Sequence, residues 1–166
     1  MHTLQWDTAD SSGAVGIGCV EGSTYFYTAE GTRAAERGGD VPDDAWDWRQ
    51  ASVLEGKCYY DNGLFIDDDD TMYVTWGNTN LSVARLTADG LGEAEAREVF
   101  RGGATYIEGA HMYKTRGYYW IVPTKVASGE WVLRSRDPFG PYEARVLFDG
   151  LAGPLAHAGY AHQGGM

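Results

Sequence analysis

The chain has 166 residues, enough for one domain with a sizeable core and too few for two ordinary ones. Apolar residues make up 43% and charged residues 22%, the balance of a folded globular protein, and 23 glycines with 11 tyrosines favour short strands and tight turns. A formal net charge of -11 argues against nucleic acid or an anionic membrane surface, both of which require a basic stripe, so a neutral polar ligand or a bound cation is the expected partner.

Met1 to Asp7 shows no basic region followed by an apolar one. No run approaches the roughly 18 apolar residues of a membrane span, so neither a signal peptide nor a span is expected. Cys19 and Cys58 have no metal-ligand or redox spacing and say little about compartment.

Three segments resemble one another, each a turn followed by a tyrosine-led strand: Gly22 to Thr28, Asp70 to Trp76 and Gly117 to Pro123. Tyr25, Tyr73 and Tyr119 recur at a little under 50 residues, a period of radially arranged β units with four strands per blade. In the middle unit Leu64-Phe65-Ile66, Met72 to Trp76 and Leu81 to Leu86 read as successive antiparallel strands. Alternation in the last puts Leu81, Val83 and Arg85 on one face and Ser82, Ala84 and Leu86 on the other. The Asp67 to Asp70 run lacks the calcium-loop spacing of an EF-hand and reads as a solvated hairpin tip.

Thr87-Ala88-Asp89-Gly90 closes the unit with a turn. Glu93 to Glu98 reads as a polar connection, with a single helical turn as its alternative. In the third unit Glu130 to Ser135 is a strand closed by Asp137-Pro138-Phe139-Gly140-Pro141, whose prolines forbid a continuous central strand.

Tyr106-Ile107-Glu108-Gly109-Ala110-His111 holds the leading candidate for chemistry. Glu108 is flanked by apolar and aromatic residues and followed by a glycine that permits close approach. Such surroundings raise a carboxyl's pKa and suit a general acid, against the plainer reading of a solvent-facing turn carboxylate.

Taken together, these segments resemble glycoside hydrolase family 43, the five-bladed β-propeller enzymes that include β-xylosidases and α-L-arabinofuranosidases. The resemblance runs from about Tyr59 to the last residue. It rests on Tyr59 to Asp70, on Ile107 to Lys114 with Gly117-Tyr118-Tyr119, on Val132 to Glu143, and on Ala161-His162-Gln163-Gly164-Gly165-Met166. Each motif alone is weak; four in order at blade-like intervals are specific.

The resemblance implies an all-β fold, a partial five-bladed propeller of about three blades, each a four-stranded antiparallel sheet. Residues 1–166 would form a single incomplete catalytic domain lacking the first blade and the ring-closing part. It implies a glycosidase acting on xylose- or arabinose-containing plant polysaccharide with inversion.

Glu108 would be the general acid, and Asp61 the carboxylate that tunes its pKa, against a plain Asp-Asn-Gly turn. His162 would lie beside a structural calcium near the propeller axis, against a mobile terminal histidine. The chemistry requires no cofactor. Trp76, Tyr106 and Trp120 are candidates to stack on a sugar, against core packing.

The family's general base is an aspartate two blade periods ahead of Asp61, a position upstream of Met1. Asp7 and Asp10 lie one period away without the family's following proline, so the base is expected to be missing. Asp70 stands where the family has a turn glycine, and Trp6 with Tyr25-Phe26-Tyr27 resembles a second blade only loosely. A non-catalytic carbohydrate-binding propeller is the competing class. A fructan-acting five-bladed family fits the Gly-Tyr-Tyr-Trp and His-Gln-Gly-Gly segments less well.

Overall fold

In the computed structural model the described residues are 4–6, 13–30, 47–104, 106–125 and 129–149. His162 lies outside them. Among the described residues twelve strands form three four-stranded antiparallel sheets in chain order. The first comprises β1 (Leu4–Trp6), β2 (Gly13–Val20), β3 (Ser23–Glu30) and β4 (Asp47–Leu54). The second comprises β5 (Gly63–Ile66), β6 (Met72–Trp76), β7 (Asn80–Leu86) and β8 (Glu93–Arg101). The third comprises β9 (Ile107–Thr115), β10 (Tyr118–Lys125), β11 (Gly129–Ser135) and β12 (Glu143–Asp149). The first strands touch their counterparts, β1 against β5 and β5 against β9. This is the layout of propeller blades ranged about an axis.

Two apolar layers join the sheets. Ile17 and Phe26 pack with Tyr59, Val74, Trp76, Ala84 and Leu86 between the first two. Tyr73, Leu81 and Val83 pack with Ile107, Ala110, Met112, Ile121 and Leu133 between the second and third. The alternation read from β7 therefore has a tertiary meaning, because Leu81 and Val83 serve one layer and Ala84 and Leu86 the other. Each fully buried aliphatic side chain contributes about 1.5–3 kcal/mol.

Polar links add direction to the first interface. Thr24 Oγ1 donates to the Lys57 carbonyl at 2.7 Å and accepts from the Tyr59 amide at 2.9 Å, and the Tyr59 hydroxyl donates to Glu93 at 2.6 Å.

Three expectations are corrected, and the pairing of the two cysteines, on which the sequence was silent, is added. Glu93 to Glu98 is neither connection nor helix but part of β8, the outer strand of its sheet, paired with β7 from Leu86↔Glu93 to Asn80↔Arg101. Its Glu-Ala-Glu-Ala alternation was the strand signal, and its charges suit an edge that must not recruit further strands.

Tyr73 and Tyr119 lie in the second strands of their sheets but Tyr25 lies in the third of its own, so the tyrosine repeat is out of phase by one strand in the first unit. Cys19 and Cys58 form a disulfide with Cα atoms 5.3 Å apart, tying β2 to the segment that leads into β5.

The aspartate run is only partly a solvated tip. Asp68, Asp69 and Asp70 are exposed, and Asp70 takes the left-handed conformation (φ 63°) that its glycine-like place demands. Asp67 is 8% exposed, ion-paired with Lys114 and bonded by the Tyr119 hydroxyl at 2.5 Å.

Candidate active site

Asp61 and Glu108 precede or open neighbouring axial strands, and one hairpin holds both. The β6–β7 connection donates its Gly77 amide to the Tyr60 carbonyl at 3.0 Å and its Thr79 amide to the Ile107 carbonyl at 2.7 Å. Each acceptor is the residue immediately before a candidate carboxylate. Gly77 is required in this hairpin: its φ is 118°, and an added Cβ would sit 2.2 Å from the Asn80 carbonyl.

Just beyond the two carboxylates the strands come too close for a side chain. A Cβ on Gly63 would meet the Ala110 carbonyl at 2.7 Å and His111 Nδ1 at 3.1 Å. Thr75 Oγ1, buried on β6, donates to that Ala110 carbonyl at 2.5 Å. Gly63 is two residues past Asp61, and Ala110 two residues past Glu108. The contact therefore brings both carboxylate-bearing backbones to the same end of the sheets.

Local conformation sets how each residue enters. Asp61 is half-buried at φ 46°, a left-handed turn residue of the kind aspartate tolerates. The turn is anchored by buried Asn62, whose Nδ2 donates to the Tyr59 carbonyl at 2.9 Å. The Asp-Asn-Gly turn chemistry and the candidate functional position therefore coincide.

Glu108 is half-buried in β9 opposite Thr124. Pairing shifts between Val122↔His111 and Thr124↔Glu108, so Gly109 and Ala110 together oppose Pro123 alone. Gly109 takes φ 63°, the mark of a glycine bulge that re-aims the residue beside it. The bulge puts Glu108 and His111 on one face and Ala110 with Met112 on the other, against the second sheet. Burial holds the His111 imidazole below its usual pKa, so it stays neutral near pH 7.

The aromatic candidates separate. Tyr106 is 49% exposed, two residues from Glu108, and its hydroxyl accepts a hydrogen bond from Asn78 Nδ2 at 3.0 Å. Trp76 is 9% exposed and tilted against Tyr59 with ring centroids 4.4 Å apart, so it serves the core between the first two sheets. Trp120 lies four residues, about 13 Å of strand, from Thr124, with Tyr118 and the Arg134 guanidinium beside its ring. Of the three candidates, Tyr106 is the one open at the carboxylate end.

Among the described residues no group of three or more His, Cys, Asp or Glu side chains gathers to hold a metal. Sequence reasoning did not find the Gly77–Thr79 clasp, Thr75, His111 or Glu130. Only Gly77-Asn78-Thr79-Asn80, a recognisable turn composition, signalled any of them.

The profile of Glycosyl hydrolases family 43 matches residues 16–149. A relative from Xylanibacter ruminicola and one from Escherichia coli K12, both bearing the description "Putative beta-xylosidase", are each 33% identical, over 113 and 104 residues. They align with 61% and 53% of this chain, which spans about a fifth of their length (20% and 19%).

A solved family 43 glycoside hydrolase, engineered in its active site to display both endo-xylanase and exo-arabinofuranosidase activity, is 45% identical with a TM-score of 0.83. The match covers 98% of this chain and 31% of that one. A family 43 enzyme of Xanthomonas citri complexed with xylose shares the fold, at 17% identity and a TM-score of 0.63, over 87% of this chain and 54% of that one. With its profile match spanning all three sheets, the chain belongs to glycosyl hydrolases family 43.

Proposed function

We propose that this chain forms part of the catalytic propeller of a glycoside hydrolase that cleaves O-glycosidic bonds in xylose- or arabinose-containing plant polysaccharides or oligosaccharides, with inversion. The observation that carries the reading is the shared clasp, in which one hairpin holds the residues preceding Asp61 and Glu108. Two carboxylates brought to one end of adjacent axial strands suit an acid and the group that keeps it protonated, since like charge and partial burial both disfavour a second anion.

Glu108 protonates the leaving glycosidic oxygen as the bond breaks through an oxocarbenium-like transition state. Asp61 contributes its field and never touches the attacking water. Tyr106 is the aromatic best sited to stack on a sugar ring. Inversion also needs a carboxylate that activates water on the opposite face of the sugar, and no described residue is assigned that role. The calcium implied by the family, with His162 beside it, takes no part in these steps; among the described residues no cluster of three or more His, Cys, Asp or Glu side chains gathers to hold it.

Hydrolysis and binding of aryl β-xyloside and aryl α-L-arabinofuranoside by the parent chain, Glu108→Gln and Asp61→Asn test the assignment. Full activity of Glu108→Gln on a poor leaving group would sink the acid role. Binding without hydrolysis by the parent would mark a carbohydrate-binding propeller instead.

A further inference from the structure

Glu130 is a buried carboxylate that the mechanism above does not use. It is 7% exposed, and its Oε2 is buried without a hydrogen-bond partner among the described residues. Its Oε1 accepts from Thr124 Oγ1 at 2.6 Å, and Thr124, itself 3% exposed, is the register partner of Glu130 on β11 and of Glu108 on β9. The Gly109 bulge turns Glu108 to the face that Thr124 and Glu130 share, so acid, hydroxyl and second carboxyl form one row across three strands. The other titratable groups on the strands that flank it are His111 on β9, Lys125 on β10 and Arg134 farther along β11, with Asp61 ahead of β5.

We propose that Glu130 is a positioning residue for Glu108, acting through Thr124 to keep the acid's carboxyl protonated and aligned for donation. A threonine hydroxyl has one proton. With that proton given to Glu130, Thr124 offers its other neighbour only lone pairs, which favour a Glu108 that retains its own proton. Charge acts in the same direction, because only two strand spacings, about 9.5 Å, separate the backbones that carry the two carboxylates. Burial raises the Glu130 carboxyl above its ordinary range, with the Thr124 hydrogen bond drawing it partly back. The two carboxyls then titrate as a coupled pair.

This inference rests on the reading of Glu108 as the acid, and carboxyl titration tests it without needing turnover. The chain is labelled with 13C at glutamate carboxyls, and the Glu108 signal is identified by its loss in Glu108→Gln. In Glu130→Gln, which keeps shape and acceptor but carries no charge, the Glu108 midpoint should fall by about 0.3–1 pH unit. Thr124→Val should lower it as well, and Thr124→Ser should restore it.

A Glu108 midpoint unchanged in Glu130→Gln, in a protein that melts like the parent, overturns the proposal. Should Thr124→Val not fold, Glu130→Gln and Thr124→Ser decide the matter. Full glycosidase activity of Glu108→Gln would instead remove the acid reading, and with it the catalytic meaning of the coupling, whatever the titration gives.

Discussion

Strand β5 is bracketed by two aspartates with opposite surroundings. Asp67, just past its end, faces Lys114 and the Tyr119 hydroxyl from the third sheet. Burial alone would raise its carboxyl, but the hydrogen bonds from Lys114 and Tyr119 outweigh that and hold it below the usual carboxylate range. The same contact pushes the Tyr119 phenol up to about 12, burial first and the Asp67 bond second. Asp61, two residues ahead of the strand, sits half-exposed in a left-handed turn whose backbone, not its carboxylate, is clasped by the neighbouring hairpin. One end of the strand uses its charge to bind two blades together; the other holds its charge in place while leaving it accessible. On the proposed function, stability and chemistry are thus divided between the two ends of a four-residue strand.

Substitutions at the two ends should separate these roles. At the axial end Glu108→Gln should lower hydrolysis of a glycoside with a poor leaving group by about 100- to 10,000-fold. It should change unfolding free energy by less than about 0.5 kcal/mol, and a comparable loss of stability would erase the contrast. Gly77→Ala attacks the clasp, and strain plus overlap with the Asn80 carbonyl should cost about 2–4 kcal/mol. Denaturant titration measures that cost; an unperturbed protein would show that the hairpin does not hold the carboxylate ends.

At the far end Asp67→Asn takes the buried charge from Lys114 and leaves it the exposed carboxylate of Asp68, 3.0 Å away, and should cost about 2 kcal/mol at pH 7. The sign with pH follows from the lowered carboxyl. Asp67 stabilises the fold above the ordinary carboxylate range and loses that contribution as pH falls through its depressed folded value. The deficit of Asp67→Asn should therefore shrink below about pH 4, and a deficit constant with pH would assign it to packing. His111, with its imidazole lowered by burial, adds an earlier acid loss below its ordinary pKa of about 6.5. Asp68→Asn, on an exposed member of the same run, should stay within about 0.5 kcal/mol.

Much of the architecture was legible in the chain. The strands of the second unit, the two faces of β7, the Asp89-Gly90 turn and the interruption at Pro138 and Pro141 are local, because strand period, turn composition and the missing proline amide act over a few residues. The Thr87 turn formed as read, with Gly90 N donating to the Thr87 carbonyl at 2.8 Å. Asp67 was misread because its neighbours Asp68 to Asp70 do what an aspartate run ordinarily does, while the Lys114 that recruits it is 47 residues away. β8 reads as a polar connection in the sequence because an edge strand hides little of either face and so lacks the apolar stripe that marks a buried one.

The sequence by itself determined the all-β blade type, the interval between the second and third blades and the identity of the two candidate carboxylates, since period-two patterning and short motifs survive without knowledge of distant partners. Only the tertiary structure decided which residues converge. Cys19 with Cys58, Asp67 with Lys114, the Gly77–Thr79 clasp on Tyr60 and Ile107, and the Glu108–Thr124–Glu130 row all depend on strand register and sheet stacking. Register is set by burial on both faces together with the Gly109 bulge, and a slip of one residue would turn Glu108 to the opposite face.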